Sequence, residues 1–516
     1  MILRRRARRA PLLAAVSALL IVLAGCGGGG SSAEGGANDP DAVLRYVYAN
    51  APGTLDPHVV NSGFANVPLF LIFDRLVHVN PAGEAIPGLA TSWSFSADGK
   101  EVTFKLRDKV KFQDGADFDA EAVKANIEHG KTVEGSFVKA DLASIDNVGV
   151  VDRLTAKFVL SKPDVGIVLK LSDRAGAMMS PKSIAAGDAG TKPVGTGMFE
   201  LDGAYKVGAE LKVKKFNGYW EPDAQKLAGV VMVFMSDTNA ALNAIKSGGA
   251  HAGQIREAEI DPAKRAGLNV LEGYDLGFQN IILNPDNVPA LRDEKVRLAL
   301  NLAINRQEIV DGLLFGYGKA TNQPFPEGYF AHSNNAPQYQ HDPDRAKKLL
   351  AEAGYPDGFE MELTNAPGPS ARISEVLADQ FKKVGVRTKL NQIESSALGQ
   401  QLSVDKTTQA VNVRWTGRND PTATLALLYM PKGPQNPSNM ATDRAIELFE
   451  AQKAESDPGK RAKLLAELAD EFVEHPPASQ IVLFQSVSAI ASSKKVVGLQ
   501  EWKTGKVEFR GVGITK

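Results

Sequence analysis

Along residues 101–106, "EVTFKL", polar and apolar side chains alternate, and Val102, Phe104 and Leu106 fall on one face. A period of two predicts a half-buried strand. The preceding "SADGK" supplies an Asp-Gly turn, and "TSWSFS" before it provides the other arm of a hairpin. The period then changes: "FDAEAVKANIEHG" reads as a helix with Asp119 as N-cap and Gly130 as its stop. "AKFVLSKP" and "AELKVKKF" read as further strands, so the first half is strand-rich with helices between.

From about residue 290 the pattern turns helical. "LRDEKVRLALNLAI" puts Val296, Ala299, Leu300, Ala303 and Ile304 on one face. "NRQEIVDGLL" restarts with Asn305 and Glu308 at capping-box spacing. "HDPDRAKKLLAEAGY" has Asp342 as N-cap, Pro343 in the first turn and Gly354 as C-cap. "ARISEVLADQFKKVGV" is amphipathic and leads into a strand, "RTKLNQI". A helical pair follows, joined at Pro458 and Gly459, with Leu464, Leu465, Leu468 and Phe472 facing one core. "SQIVLFQSVSAIASS" returns to strand. This order suits a first lobe completed by the carboxy-terminal tail after an inserted second lobe, a chain that crosses between lobes twice and so makes a hinge and a cleft.

The amino terminus is of another kind. Five arginines, Arg4, Arg5, Arg6, Arg8 and Arg9, precede "PLLAAVSALLIVLAG", an apolar run of about 15 residues. A membrane-spanning helix needs about 20; a basic start, a short apolar run and small residues at its end predict a secretory signal over residues 1–25. Leu23-Ala24-Gly25-Cys26 resembles the bacterial lipobox, which implies lipidation of Cys26 as the mature amino terminus. The Gly- and Ser-rich stretch behind it predicts a flexible tether over residues 26–41. Cys26 is the only cysteine, so no disulfide framework holds the fold. Without residues 1–25, Lys and Arg fall from 59 to 54 against 60 Asp and Glu, a formal charge of −6. That gives no reason to expect nucleic acid. A hydrophobic content of 43% suits a globular chain, and its length exceeds what one core serves.

Several stretches in a fixed order carry a family resemblance: "GTLDPH" (53–58), "IFDRLV" (72–77), "GLATSWSFSADGKEVTFKLRDKVKFQDGADFDAEAVKAN" (88–126), "PVGTGMFEL" (193–201), "FNGYWE" (216–221), "LNPDNVPALRDEKVRLALNLAINRQEIVDGLLFGYG" (283–318) and "DPDRAKKLLAEAGYPDGF" (342–359). With them the chain resembles the family 5 extracellular solute-binding proteins, the peptide, oligopeptide and nickel-type receptors of ABC importers. The resemblance implies an α/β, two-lobed periplasmic-binding-protein-like fold of class II, cluster C type, with a small enlargement of the first lobe. The lobes are expected at residues 42–274 plus 486–516 and at residues 275–485, joined by two crossing strands. It further implies a monomer that closes on a small solute and docks on an ABC permease with its ATPases, at the extracytoplasmic face of the membrane.

The resemblance also points to ligand contacts. In peptide-binding relatives, ligand backbone pairs with protein segments as an added strand would. The matching segments contain Asn61, Ser62 and Phe64 on one wall and Arg414, Trp415, Thr416, Gly417, Arg418 and Asp420 on the other. In relatives that bind free-amine peptides, an aspartate directly follows the glycine and pairs with the ammonium. Here Arg418 stands there, and the interval to Asp420-Pro421 is one residue shorter. Arg418 in the pocket would attract a carboxylate or phosphate; turned to solvent, it is a surface charge. Trp415 either covers apolar ligand or packs the lobe core. Arg414 faces the cleft or a neighbouring strand, and the Asp-Pro context of Asp420 suggests a turn residue as readily as an amine partner.

Catalytic patterns are not evident. "ANIEHGKT" has Ala125 in place of the first glycine of a phosphate loop and follows a helix rather than a strand. There is no G-x-S-x-G, and the seven histidines are scattered without H-E-x-x-H spacing. His58, within "LDPH", reads as a structural hydrogen-bonding residue. We therefore expect no cofactor, no metal and no enzyme activity. The alternatives to a peptide receptor are a receptor for a nickel chelate, glycan or opine-like anion, a surface signalling or adhesion protein, and a lipid-anchored hydrolase.

Overall fold

Two long antiparallel strands, Asn269–Leu283 and Gln480–Ser492, run through the centre of the fold. The computed structural model describes residues 36–60, 63–474 and 479–516. Around the two long strands lies an 11-stranded sheet. On one side of the pair come Ala252–Ile255, Val43–Tyr48, Gly229–Phe234, Leu211–Lys215 and Phe199–Leu201 in that order; on the other come Ala410–Trp415, Glu360–Asn365 and Arg387–Gln392. Ala252–Ile255 pairs with the end of the second long strand, residues 489–492, whereas Ala410–Trp415 pairs with the end of the first, residues 278–283. The ladder between the long strands loses register between Tyr274 and Phe278, opposite Val487 and Gln485. Such an irregularity bends and twists a ladder locally.

Each side of this break carries its own core. Tyr46, Tyr48, Phe73, Phe199 and Met232 pack together on the first. Ile281, Leu300, Leu363, Phe381 and Phe484 pack on the second. Val296, Ala299, Leu300, Ala303 and Ile304 are all buried there, as their spacing predicts. The alternating stretch Glu101–Leu106 pairs with Ala90–Phe95 and with Thr155–Leu160, and Ile145–Asp152 completes a separate four-stranded antiparallel sheet. Its inner face, including Val102, Phe104 and Leu106, packs against Val123 and Ile127 of the helix Ala120–Thr132.

Several local readings need adjustment. The Asp119 side chain accepts the Ala122 N–H, as an N-cap should, but the helix runs past Gly130 to Thr132. Gly130 is not a stop: a Cβ there would stand 2.8 Å from Leu142 Cδ1, so the position is small because the neighbouring chain packs close. Asn305 accepts the Glu308 N–H at 3.1 Å, but the Glu308 carboxylate turns to Gln380 Nε2 at 3.1 Å rather than back to the cap. Pro458 and Gly459 open the helix Pro458–Glu474. The end of the expected tether is held down: Asn38 bridges Thr515 and donates to the Lys226 carbonyl at 2.9 Å.

Candidate functional site

A partly enclosed cavity with about 760 Å³ of space free of protein atoms lies beside the register break. Its first wall is the chain leaving the strand Ala410–Trp415. Gly417 has φ +75°, and a Cβ there would stand 2.6 Å from Leu276 Cβ and 2.7 Å from the Leu276 carbonyl oxygen. Only glycine fits that turn. The turn presents Arg418 to the cavity. Its guanidinium lies 4.8 Å from the centre of the Trp415 ring and donates to the Gly417 carbonyl at 2.9 Å.

Asp420 then caps the helix Pro421–Leu428, accepting the Thr422 N–H at 2.9 Å. Its two carboxylate oxygens also accept from Nη2 of a buried Arg461, at 2.9 and 3.0 Å.

The opposite wall comes from distant segments. Tyr48, at the end of its strand, donates to the Phe64 carbonyl at 2.8 Å, and Phe64, 41% exposed, lines the cavity. Asp141, Lys170, Asp173 and Arg174 follow, and Lys506 enters from the carboxy-terminal segment. Contacts bridge the two sides: Asn419 Nδ2 donates to Ser172 Oγ at 3.0 Å, Lys506 Nζ donates to Asn419 Oδ1 at 3.4 Å, and the Val165 N–H donates to the Lys453 carbonyl at 2.9 Å.

Charge here is mostly paired. Lys506 is bonded to Asp173, Lys170 to Asp164 at 2.6 Å, and Arg414 lies 3.4 Å from Asp275. Burial works against ionisation of Asp173, but Lys506, Arg174 and their hydrogen bonds outweigh it and hold the carboxyl well below the usual range. Burial pushes the Lys506 ammonium down, with Asp173 opposing. Burial pushes Asp275 up against the pull of Arg414 and the Gly277 N–H. Two groups stand apart. Arg418 has no carboxylate within ion-pair distance among the described residues, and neither has Asp141 a cation. Burial and the charge of Asp173 push Asp141 up, while Arg418, Lys170 and Arg174 pull it down from farther off.

Of the residues singled out in the sequence, Phe64, Arg414, Thr416, Gly417, Arg418 and Asp420 line this cavity. Trp415 does not. Its ring is buried in a core with Leu276, Phe278 and Tyr329, its N–H donates to Thr424 Oγ1 at 3.1 Å, and it serves as a floor beneath Arg418. Asn61, Ser62 and Cys26 lie outside the described residues. Sequence reasoning missed Asp141, Asp173, Arg174, Asp275 and Lys506. No local pattern marks them; Asp173 and Lys506 are 333 positions apart. Among the described residues, one group has the composition to hold a metal: Asp56, His58 and His129.

Residues 84–436 match the model of the bacterial extracellular solute-binding proteins, family 5 Middle. Over 463 residues the chain is 28% identical to the glutathione-binding protein GsiB of Salmonella paratyphi A, covering 86% of this chain and 89% of that protein. It is 28% identical over 523 residues to the dipeptide-binding protein of Escherichia coli K12, covering 91% and 94%. The structure of HbpA2 from Haemophilus parasuis superposes with a TM-score of 0.80 at 27% identity, over 92% of this chain and 100% of that one. Among the described residues, no helix is long and apolar enough to cross a membrane.

Proposed function

The chain belongs to the bacterial extracellular solute-binding proteins of family 5, and from that premise we propose that it is the substrate-binding lipoprotein of an ABC importer. It captures a peptide or peptide-like solute between two lobes, closes by a hinge, and hands the solute to the permease. The relatives that bind glutathione and dipeptides support the ligand class. The register break between Tyr274 and Phe278, in the pair of long strands that passes from one core to the other, supports the hinge and the lobe boundaries at residues 274/275 and 485/486. Cys26, lipidated and followed by glycines, keeps the monomeric receptor at the extracytoplasmic membrane face, where two or more acyl chains anchor stably.

One observation supports the reading of the site: a cavity between the two walls whose lining includes Arg418 and Asp141, neither within ion-pair distance of an opposite charge among the described residues. Arg418 takes a ligand carboxylate, by two parallel hydrogen bonds where the geometry allows. Asp141 takes a ligand ammonium, so the amine sits on the wall opposite to the one used where an aspartate follows the glycine.

Calorimetric titration of the full chain tests this, using di- and tripeptides beside their amidated and acetylated forms, a Ni²⁺–histidine chelate, an oligosaccharide and an opine-type acid. Free peptides should bind without turnover, and scattering should report compaction. Amidation should weaken binding about 10- to 100-fold, the scale of a charge-assisted hydrogen bond. Binding of the chelate or sugar with no peptide binding, or formation of a product, overturns the proposal. An opine-type acid binding more tightly than any peptide favours the second reading, a receptor for opine-like anions, to which the free Arg418 also lends itself.

A further inference from the structure

His58 is fully buried, and neither ring nitrogen meets a partner with hydrogen-bond geometry. The hydrogen bonds expected of this motif residue are made instead by its backbone: its N–H donates to Asp56 Oδ1 at 2.8 Å, and its carbonyl accepts the Phe137 N–H at 2.9 Å. Leaving a buried polar group unpaired costs about 1–3 kcal/mol, so an imidazole with two such atoms calls for an explanation.

His129, in the last turn of the helix Ala120–Thr132, supplies part of one. Its ring centre is 5.4 Å from that of His58, and its Nε2, also buried without a hydrogen-bond partner, lies 3.7 Å from Asp56 Oδ2. An Asp–His ion pair would account for His129 alone and would leave His58 unexplained. One donor atom from each of Asp56, His58 and His129 lies within 4.8 Å of the others. Zinc binds such atoms at about 2.0–2.2 Å, which places tetrahedral ligands roughly 3.3 Å apart. The cluster is thus one small inward movement from a metal site. The nearby cation that counts against a metal, Arg174, lies 4.0 Å from Asp173, which also holds Lys506.

We propose that Asp56, His58 and His129 bind a divalent transition-metal ion of the zinc class, with a fourth position left to water. Two histidines and one carboxylate suit that class of ion. None of the three lines the solute cavity, so this site is separate from it. It would fasten residues 56–58 to the helix end, and that segment runs on to Gly63 and Phe64 of the cavity wall.

The test is titration of the untagged full chain with Zn²⁺ alone, against a chromophoric chelator, for wild type, His129→Gln and Asp56→Asn. Both variants spare the fully buried His58, and Asp56→Asn keeps the acceptor for the His58 N–H. Wild type should bind one equivalent, Co²⁺ substitution should give the visible bands of a four-coordinate ion, and each variant should bind more than about 100-fold more weakly. If wild type binds no Zn²⁺, or if both variants keep its stoichiometry and affinity, the site does not exist.

Discussion

Asp420→Asn separates architecture from ligand contact at the cavity wall. The Asp420 side chain has no exposed surface and its partner Arg461 is 9% exposed, with Nη2 at 2.9 and 3.0 Å from the two carboxylate oxygens. Asparagine keeps an oxygen for the Thr422 N–H, so the cap survives and only the charge is lost. Removing one partner of a buried pair leaves the other uncompensated and costs about 3–5 kcal/mol. Thr422 Oγ1 and Gln452 Oε1 still accept from Arg461, at 3.0 and 3.1 Å, which places the expected loss at the lower end, about 3 kcal/mol. Unfolding entropy of about 2.1 cal/mol/K per residue, over roughly 480 residues from Ala37, amounts to about 1 kcal/mol/K, so Tm should fall about 3 °C.

The assay is calorimetry and urea denaturation of Asp420→Asn, Arg461→Met and the double variant. The double variant should be less destabilised than the sum of the singles, because removing both charges removes the stranded one. A single-variant loss below about 0.5 kcal/mol together with additive behaviour would refute the buried pair. Weakened solute binding with unchanged stability would make Asp420 a ligand contact instead.

Arg418→Gln should weaken a carboxylate-bearing solute about 10- to 100-fold in calorimetry and leave its amide unchanged; equal losses for both would remove Arg418 from the site. Burial raises the folded-state pKa of Asp275 above its unfolded value, so the native protein holds a proton that the unfolded chain has released, and stability falls as pH rises from the usual carboxylate range through the raised value. Asp275→Asn, which retains an acceptor for the Gly277 N–H, should flatten that part of the stability–pH curve; an unchanged slope counts against the burial argument. Gly417→Ala should cost about 3 kcal/mol in denaturation, through a left-handed φ and the clash with Leu276, and a neutral result would mean the turn is built differently. Cys26→Ala should move the secreted chain from the membrane to the soluble fraction and abolish fatty-acid labelling; retention on the membrane would disprove the lipid anchor.

Much of the fold was legible because its causes are local. Alternation over residues 101–106, the Asp119, Asn305 and Asp342 caps, and the apolar stripe through Val296, Leu300 and Ala303 each depend on neighbours within a few positions. The strand Asn269–Leu283 escaped notice although it is 15 residues long, because its first six residues lie exposed or partly exposed and the other nine are buried on both faces, so no single period runs through it. Gly130 was misread because a packing glycine and a terminating glycine look the same without the Leu142 side chain that distinguishes them.

By itself the sequence determined the basic and then apolar run over residues 1–25, the glycine-rich stretch behind Cys26, the kinds of elements and their order, and the Gly-Arg pair at 417–418 where the cavity wall turns. Tertiary structure alone decided which way that turn faces, that Trp415 lies under Arg418 rather than in the cavity, that Asp420 belongs to Arg461, and that Asp141 stands unpaired across from them. It alone set two histidines and an aspartate from distant segments around one point. The physical reason is range. Hydrophobic period and capping act over one or two turns of chain, whereas charge pairing and burial depend on which segments the two crossing strands bring together, and nothing in either segment's own residues encodes its eventual neighbour.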